Sequence, residues 1–172
     1  MFKKTTKKKS SRGGNERKTW INKLDSVFSL YIRMRDSRMY GYKAFKCISC
    51  GDVKPFDMMD CGHFVSRNCM PLRWNEMNCN GECSRCNRML GDHLIGYRRN
   101  LILKLGEDAI AGNAFAQALE PKRRLQIIKK YGEERVEALE RQKKDEYKWS
   151  VEELKEKYMY FAALVLEMKK NG

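Results

Sequence analysis

Trp20, Leu24, Val27, Phe28, Tyr31 and Ile32 recur three and four positions apart, while Lys23, Arg33 and Arg35 fall elsewhere on the helical wheel. That spacing predicts a helix over about 19–38. The helical period then stops. Residues 41–55 contain CISC, with Gly51 supplying a turn, and residues 56–65 (FDMMDCGHFV) have partial strand character. Gly62 permits a bulge or a close backbone approach beside His63. Residues 66–82 read as loop, with Leu72 and Trp74 turned inward, and a helix is expected to begin near 83–87.

Beyond Gly91 the helical period returns, and it predicts a helix broken at Gly106 followed by a short one. Pro121 can open the next helix at its first position, Gly132 interrupts it, and a highly charged helix continues. Ser150 and Glu153 spell a capping box for the last helix. Tyr158, Phe161, Ala162, Val165 and Leu166 line one side of it, as core or as a seam between two copies. The fold class is α+β: a small zinc module flanked by an N-terminal helix and a C-terminal helical region. The expected division is a disordered basic arm (1–18), a core (19–112) and a helical extension (113–172).

Charge narrows the set of partners. The chain has 172 residues and 36 Lys and Arg against 22 Asp and Glu, a formal net charge of +14. Such a surface attracts a polyanion, and DNA is the leading candidate because each neutralised phosphate releases counterions. The arm alone carries eight Lys or Arg against one Glu. No apolar run is long enough to span a bilayer, and the lysine-rich N-terminus lacks the apolar segment of a signal peptide. Seven cysteines, an odd number, two pairs of them in CxxC spacing, suit metal binding in a reducing cytoplasm better than a disulfide framework.

The chemistry concentrates in 47–87. Cys47 and Cys50 form one CxxC pair, Cys83 and Cys86 the other, and four thiolates are what a structural Zn2+ needs. His63 lies between the pairs, Asn78 precedes Cys83 by five positions, and Asn87 directly follows Cys86. This spacing is similar to that of the HNH, or ββα-metal, nucleases.

His63 is the module's one candidate for a general base near neutral pH, and Asn78 is the candidate to hold its imidazole in place. Asp60 and Asn87 offer hard oxygens to a catalytic Mg2+ or Mn2+. Arg67, Arg73, Arg98 and Arg99 are candidate phosphate clamps. His93 could supplement these contacts or be a surface histidine without a role. One difficulty is geometric: on a regular strand Asp60 and His63 point to opposite faces, unless the strand bulges near Gly62 or Asp60 precedes it. A rival assignment puts Cys61, His63, Cys69 and Cys79 on a second zinc, which makes the protein a binding module.

The ordered set FSLYIRMRD, CISCG, DCGHFVSR, LRWNEMN, CSRCN and YRRNLILKLG resembles the NinG (Rap) recombination proteins of lambdoid phages over about 20–112. The resemblance implies a His-Me-finger nuclease fold with structural zinc. It further implies a structure-selective DNA endonuclease acting on branched recombination intermediates, Holliday junctions or D-loops, in the cytoplasm of a bacterial host. His63 matches the family's GH histidine and Asp60 the aspartate before it, while Asn78 and Asn87 match the asparagines around the second CxxC. A non-catalytic zinc module that binds DNA is the alternative. Symmetric resolution of a junction needs two active sites, so a homodimer is expected.

Overall fold

The structure, a computed structural model, describes residues 12–171. Helix α1 spans Arg12–Ser37 and buries Leu24, Phe28, Tyr31 and Ile32, the stripe expected from the sequence. It starts inside the segment expected to be a disordered arm. Arg17 Nε donates to the Trp149 carbonyl and Lys155 pairs with Glu16, so tertiary contacts extend a helix whose propagation is cheap once nucleated. The remainder of the expected arm, residues 1–11, lies outside the described residues.

Two small antiparallel ribbons follow. β1 (Ala44–Lys46) pairs with β2 (Val53–Pro55), and β3 (Met59–His63) pairs with β4 (Cys79–Cys83). All of β4 but Cys83 lies within the stretch expected to be loop, 66–82. It is also buried at every position, so it lacks the alternation by which a half-exposed strand is recognised. One face of the β3–β4 ribbon meets α1, where the Asp36 carboxylate accepts the Gly81 N–H at 2.7 Å. The other meets α3 (His93–Ile110), whose Tyr97 hydroxyl donates to the Gly62 carbonyl at 3.0 Å. Between these lies α2 (Ser84–Met89), which begins where the second CxxC was expected to start a helix.

The C-terminal helices close the two sides. α4 (Ala114–Ala118) is a short connector, α5 (Pro121–Gln142) packs on α3, and α6 (Val151–Lys170) packs on α1. The α6 capping box is present, with Ser150 and Glu153 each bonding the other's backbone N–H. Phe161 and Val165 join Leu24, Phe28 and Ile32 in one core cluster, so that part of the stripe is interior, and Leu166 is exposed. No helix among the described residues is long and apolar enough to cross a membrane.

Neither Gly106 nor Gly132 breaks its helix, contrary to the expectation from sequence. A Cβ on Gly106 would lie 1.9 Å from the Ile128 carbonyl oxygen, and one on Gly132 would lie 1.8 Å from that of Ile102. The two glycines are where the α3 and α5 backbones touch, and packing outweighs the helix cost of glycine, about 1 kcal/mol. Gly106→Ala should therefore cost about 1–3 kcal/mol or more by overpacking. Gly14→Ala, which meets open space, should be neutral or stabilising. Parallel thermal melts check this: equal melting temperatures for the two variants would refute the contact.

Candidate functional site

The two knuckles converge. Cys47 follows β1, Cys50 lies in the turn that Gly51 completes at φ 79°, Cys83 ends β4, and Cys86 lies in α2. Their four sulfur atoms lie within 4.8 Å of one another. A tetrahedral zinc with bonds near 2.3 Å separates its sulfurs by about 3.8 Å, so this donor set fits zinc. The Cys83 N–H already donates to Cys47 Sγ at 3.3 Å. Burial pushes the Cys47 thiol up to about 11 and Cys86 higher, while Cys83 is held low, against burial, by hydrogen bonds from Cys86 and the neighbouring thiols. Crowded thiols that resist ionising individually are relieved when a dication replaces their protons.

The ribbon beside this clip carries the other candidates. In its register Asp60 opposes Glu82, Gly62 opposes Asn80, and His63 opposes Cys79. With regular alternation Asp60 and Gly62 share one face, while Cys61 and His63 share the other. Strand β3 thus places Asp60 and His63 on opposite faces.

His63, half-buried at the end of β3, has Nε2 2.9 Å from the Arg73 carbonyl. Burial lowers its pKa below the ordinary histidine value, overcoming the carbonyls of Arg73 and Cys61, which favour the charged ring. Asn78 does not touch this imidazole, contrary to the role expected of it. Its Nδ2 donates to the carbonyls of Val65 and Leu72, and its Oδ1 accepts from Val65 N–H. A fully buried amide thus staples the loop after His63, and the residue following Leu72 in that loop supplies the carbonyl that meets the ring. His63, Cys61 and Cys79 also present ligand atoms within 4.8 Å of one another. Cys69, expected as a fourth member, instead points its sulfur to the Gln142 carbonyl.

On the other face Asn87 and Asp60 do meet, with Asn87 Nδ2 3.1 Å from Asp60 Oδ2. Arg88 also grips the Asp60 carboxylate with two hydrogen bonds of 2.7 and 2.8 Å. This is a closed ion pair, and the amide turns its donor, not its oxygen, inward, so the pair as it stands is a poor fit for an oxygen-seeking cation. Sequence reasoning missed Glu82. It is fully buried, accepts hydrogen bonds from Ser49 Oγ and from His93 Nδ1 (2.7 Å), and leaves Oε2 without a partner among the described residues. His93 is therefore tied into the interior and is no idle surface histidine. An acidic residue within an otherwise polar CNGEC run gives no signal of burial.

The arginines divide. Arg73 is not a free clamp: it makes two bonds to Asp25, at 2.6 and 2.9 Å, and its guanidinium lies over Trp74. Arg98 pairs with Glu140 at 2.9 Å, and Arg67, largely exposed, lies 3.6 Å from the same Asp25. Arg99 is exposed.

Comparison with known proteins follows the same stretch of chain. The protein-family model described as the bacteriophage lambda NinG protein matches residues 2–119. The ninG protein of Escherichia phage lambda is 33% identical over 95 residues, covering 55% of this chain and 43% of its own length. Those of Escherichia phage 933W and Salmonella phage P22 are each 32% identical over 95 residues, with 55% of this chain and 44% and 43% of their own lengths covered. The chain thus spans less than half the length of these relatives. No solved structure matches the chain. The family match runs through both cysteine pairs, the His63 strand and helix α3, so the chain belongs to the NinG family.

Proposed function

We propose that the chain is a zinc-stabilised DNA endonuclease that hydrolyses phosphodiesters in branched recombination intermediates with the help of Mg2+ or Mn2+. The observation that carries the reading is His63, an imidazole anchored through Nε2 to the Arg73 carbonyl, with a pKa that burial lowers. It stands at the end of a ribbon clamped by the cysteine clip, in a chain of net charge +14.

The residues divide the work. His63 accepts a proton from the attacking water, a contribution of about 10²–10⁴-fold in rate. Asn78 is a positioning residue, because it holds the loop that aims the ring. Asp60 and Glu82 lie on the opposite face of the ribbon from His63 and cannot meet the same phosphate, so the divalent cation would be held mainly by phosphate oxygens and water. Such a cation would supply positive charge to the departing 3′ oxygen. Exposed Arg67 and Arg99 contact phosphate, with exposed Arg88 released from Asp60 for the same purpose; Arg73 and Arg98 serve internal ion pairs first. A junction with two scissile strands calls for two copies, and since Phe161 and Val165 are used within the chain, their interface lies off that stripe.

A second reading has its own observation, the Cys61–His63–Cys79 cluster. A thiophilic ion held there takes the imidazole as a ligand and leaves a DNA-binding module without a base. Metal analysis of the purified chain separates the two: one zinc per chain is expected, and two would favour the binding module. Stripping the zinc with a chelator should unfold the β1–β2 knuckle and abolish junction binding, read by circular dichroism and gel shift.

Cleavage of synthetic four-way DNA in Mg2+ tests the main reading. His63→Ala should lower the rate by about 10²-fold or more, and an unchanged rate would remove His63 from the mechanism. The sign of the pKa shift predicts the acid limb. Because burial favours the neutral ring, the base form persists below the usual histidine value, so the rate should fall only below about pH 6.5. A limb centred above that value would contradict the assignment.

A further inference from the structure

The last helix carries apolar side chains on two opposite sides, and the fold uses one of them. Leu154, Phe161 and Val165 of α6 are buried in the cluster they share with α1. At about 100° per residue, Met159, Ala163 and Leu166 fall half a turn away, on the outer side. Met159 is 66% and Leu166 59% exposed, and Ala163 is exposed between them. A surface helix of a single chain needs only one apolar stripe.

We propose that this outer stripe is the surface on which two copies of the chain pair, their α6 helices antiparallel about a two-fold axis. It gives the two-copy reading its interface, and it rests on that reading for the need of a second copy. Followed to the helix ends, the stripe runs through Glu152, Glu156, Met159, Ala163, Leu166 and Lys170, at alternating spacings of four and three. That is the spacing with which one helix presents a straight seam to another.

Charge and size fix the direction. The stripe is acidic at its start and basic at its end. Parallel copies would set each carboxylate against its own equivalent and Met159 against the partner's Met159. Antiparallel copies centred at the level of Phe161 set Glu152 against the partner's Lys170. They also set Met159 against the partner's Ala163, a long side chain over a short one. Glu156 then meets the partner's Leu166 at the border of the seam. Every contact occurs twice, because a two-fold interface is isologous.

Acids at a helix start and bases at its end also suit the helix dipole, an effect within one chain that charge reversal separates from pairing. Helix α6 lies beyond residues 2–119, which the family model matches, so the seam is no part of that match. A seam about 30 Å long is at the small end of specific interfaces, so the dimer should dissociate on dilution.

The test is sedimentation equilibrium of the full chain with its zinc, alone and on four-way DNA. The parent should form a concentration-dependent dimer. Leu166→Arg and Met159→Glu should each weaken it about 10-fold or more by placing a charge in the seam, with the melting temperature unchanged because both side chains are exposed. Glu152→Lys or Lys170→Glu alone should weaken it about 5-fold, and the two together should restore it to within about 2-fold of the parent.

A parent that stays monomeric at every concentration, alone and on DNA, would overturn the seam, as would a dimer indifferent to Leu166→Arg or charge reversals whose effects add. Weaker DNA binding by Leu166→Arg at unchanged mass would give the stripe to DNA and overturn the seam as well. A dimer through α6 in a chain that cuts no junction would uphold the seam and refute the nuclease reading instead.

Discussion

A ribbon of Met59–His63 against Cys79–Cys83 is too short and too polar to pair by itself, yet it is enclosed between α1 and α3. The elements around it supply partners to the polar groups of this ribbon, Glu82 Oε2 excepted. Arg35 donates to the Cys79 carbonyl and the Asn80 side chain, and Asp36 accepts the Gly81 N–H. Lys104 reaches the same carboxylate from α3. Burial opposes the charge on Asp36, but Arg35 and Lys104 outweigh it and hold the carboxyl below its ordinary range. Removing one member leaves the others buried and unmet, which costs far more than an exposed pair is worth.

The cysteine clip performs the same task at the ribbon's end. It ties a β1–β2 knuckle that buries only Phe45, Cys47, Ile48 and Ser49 to the start of α2, where apolar contact alone would be thin. Site geometry follows from this economy. His63 and Asp60 are three residues apart on a strand without a bulge, so imidazole and carboxylate look out from opposite faces, and their cross-strand neighbours are Cys79 and Glu82.

Much of this was legible in the residues. The α1 stripe, the α6 cap, the four-thiol clip and the strand bearing His63 follow from periodicity and spacing, because each is a local pattern with one physical meaning. What escaped was set by distant contacts. β4 has the composition of a turn and becomes a strand only because both faces are covered. Gly106 and Gly132 look like helix breakers and are contact points. Arg73 resembles a phosphate clamp until Asp25, far away in sequence, claims it. Glu82 and His93 were invisible as a pair, since neither belongs to a spaced motif and only the packing of α3 on β4 joins them.

The missing side chain at position 62 has a consequence for how such chains can drift. Glu82 fills the volume that any larger residue at 62 would claim. A bulky replacement there is tolerated only alongside a shortened residue at 82, and a carboxylate moved from 82 to 62 would reach nearly the same point from the other strand. The two positions share one volume across the ribbon, so the size of either residue limits the other.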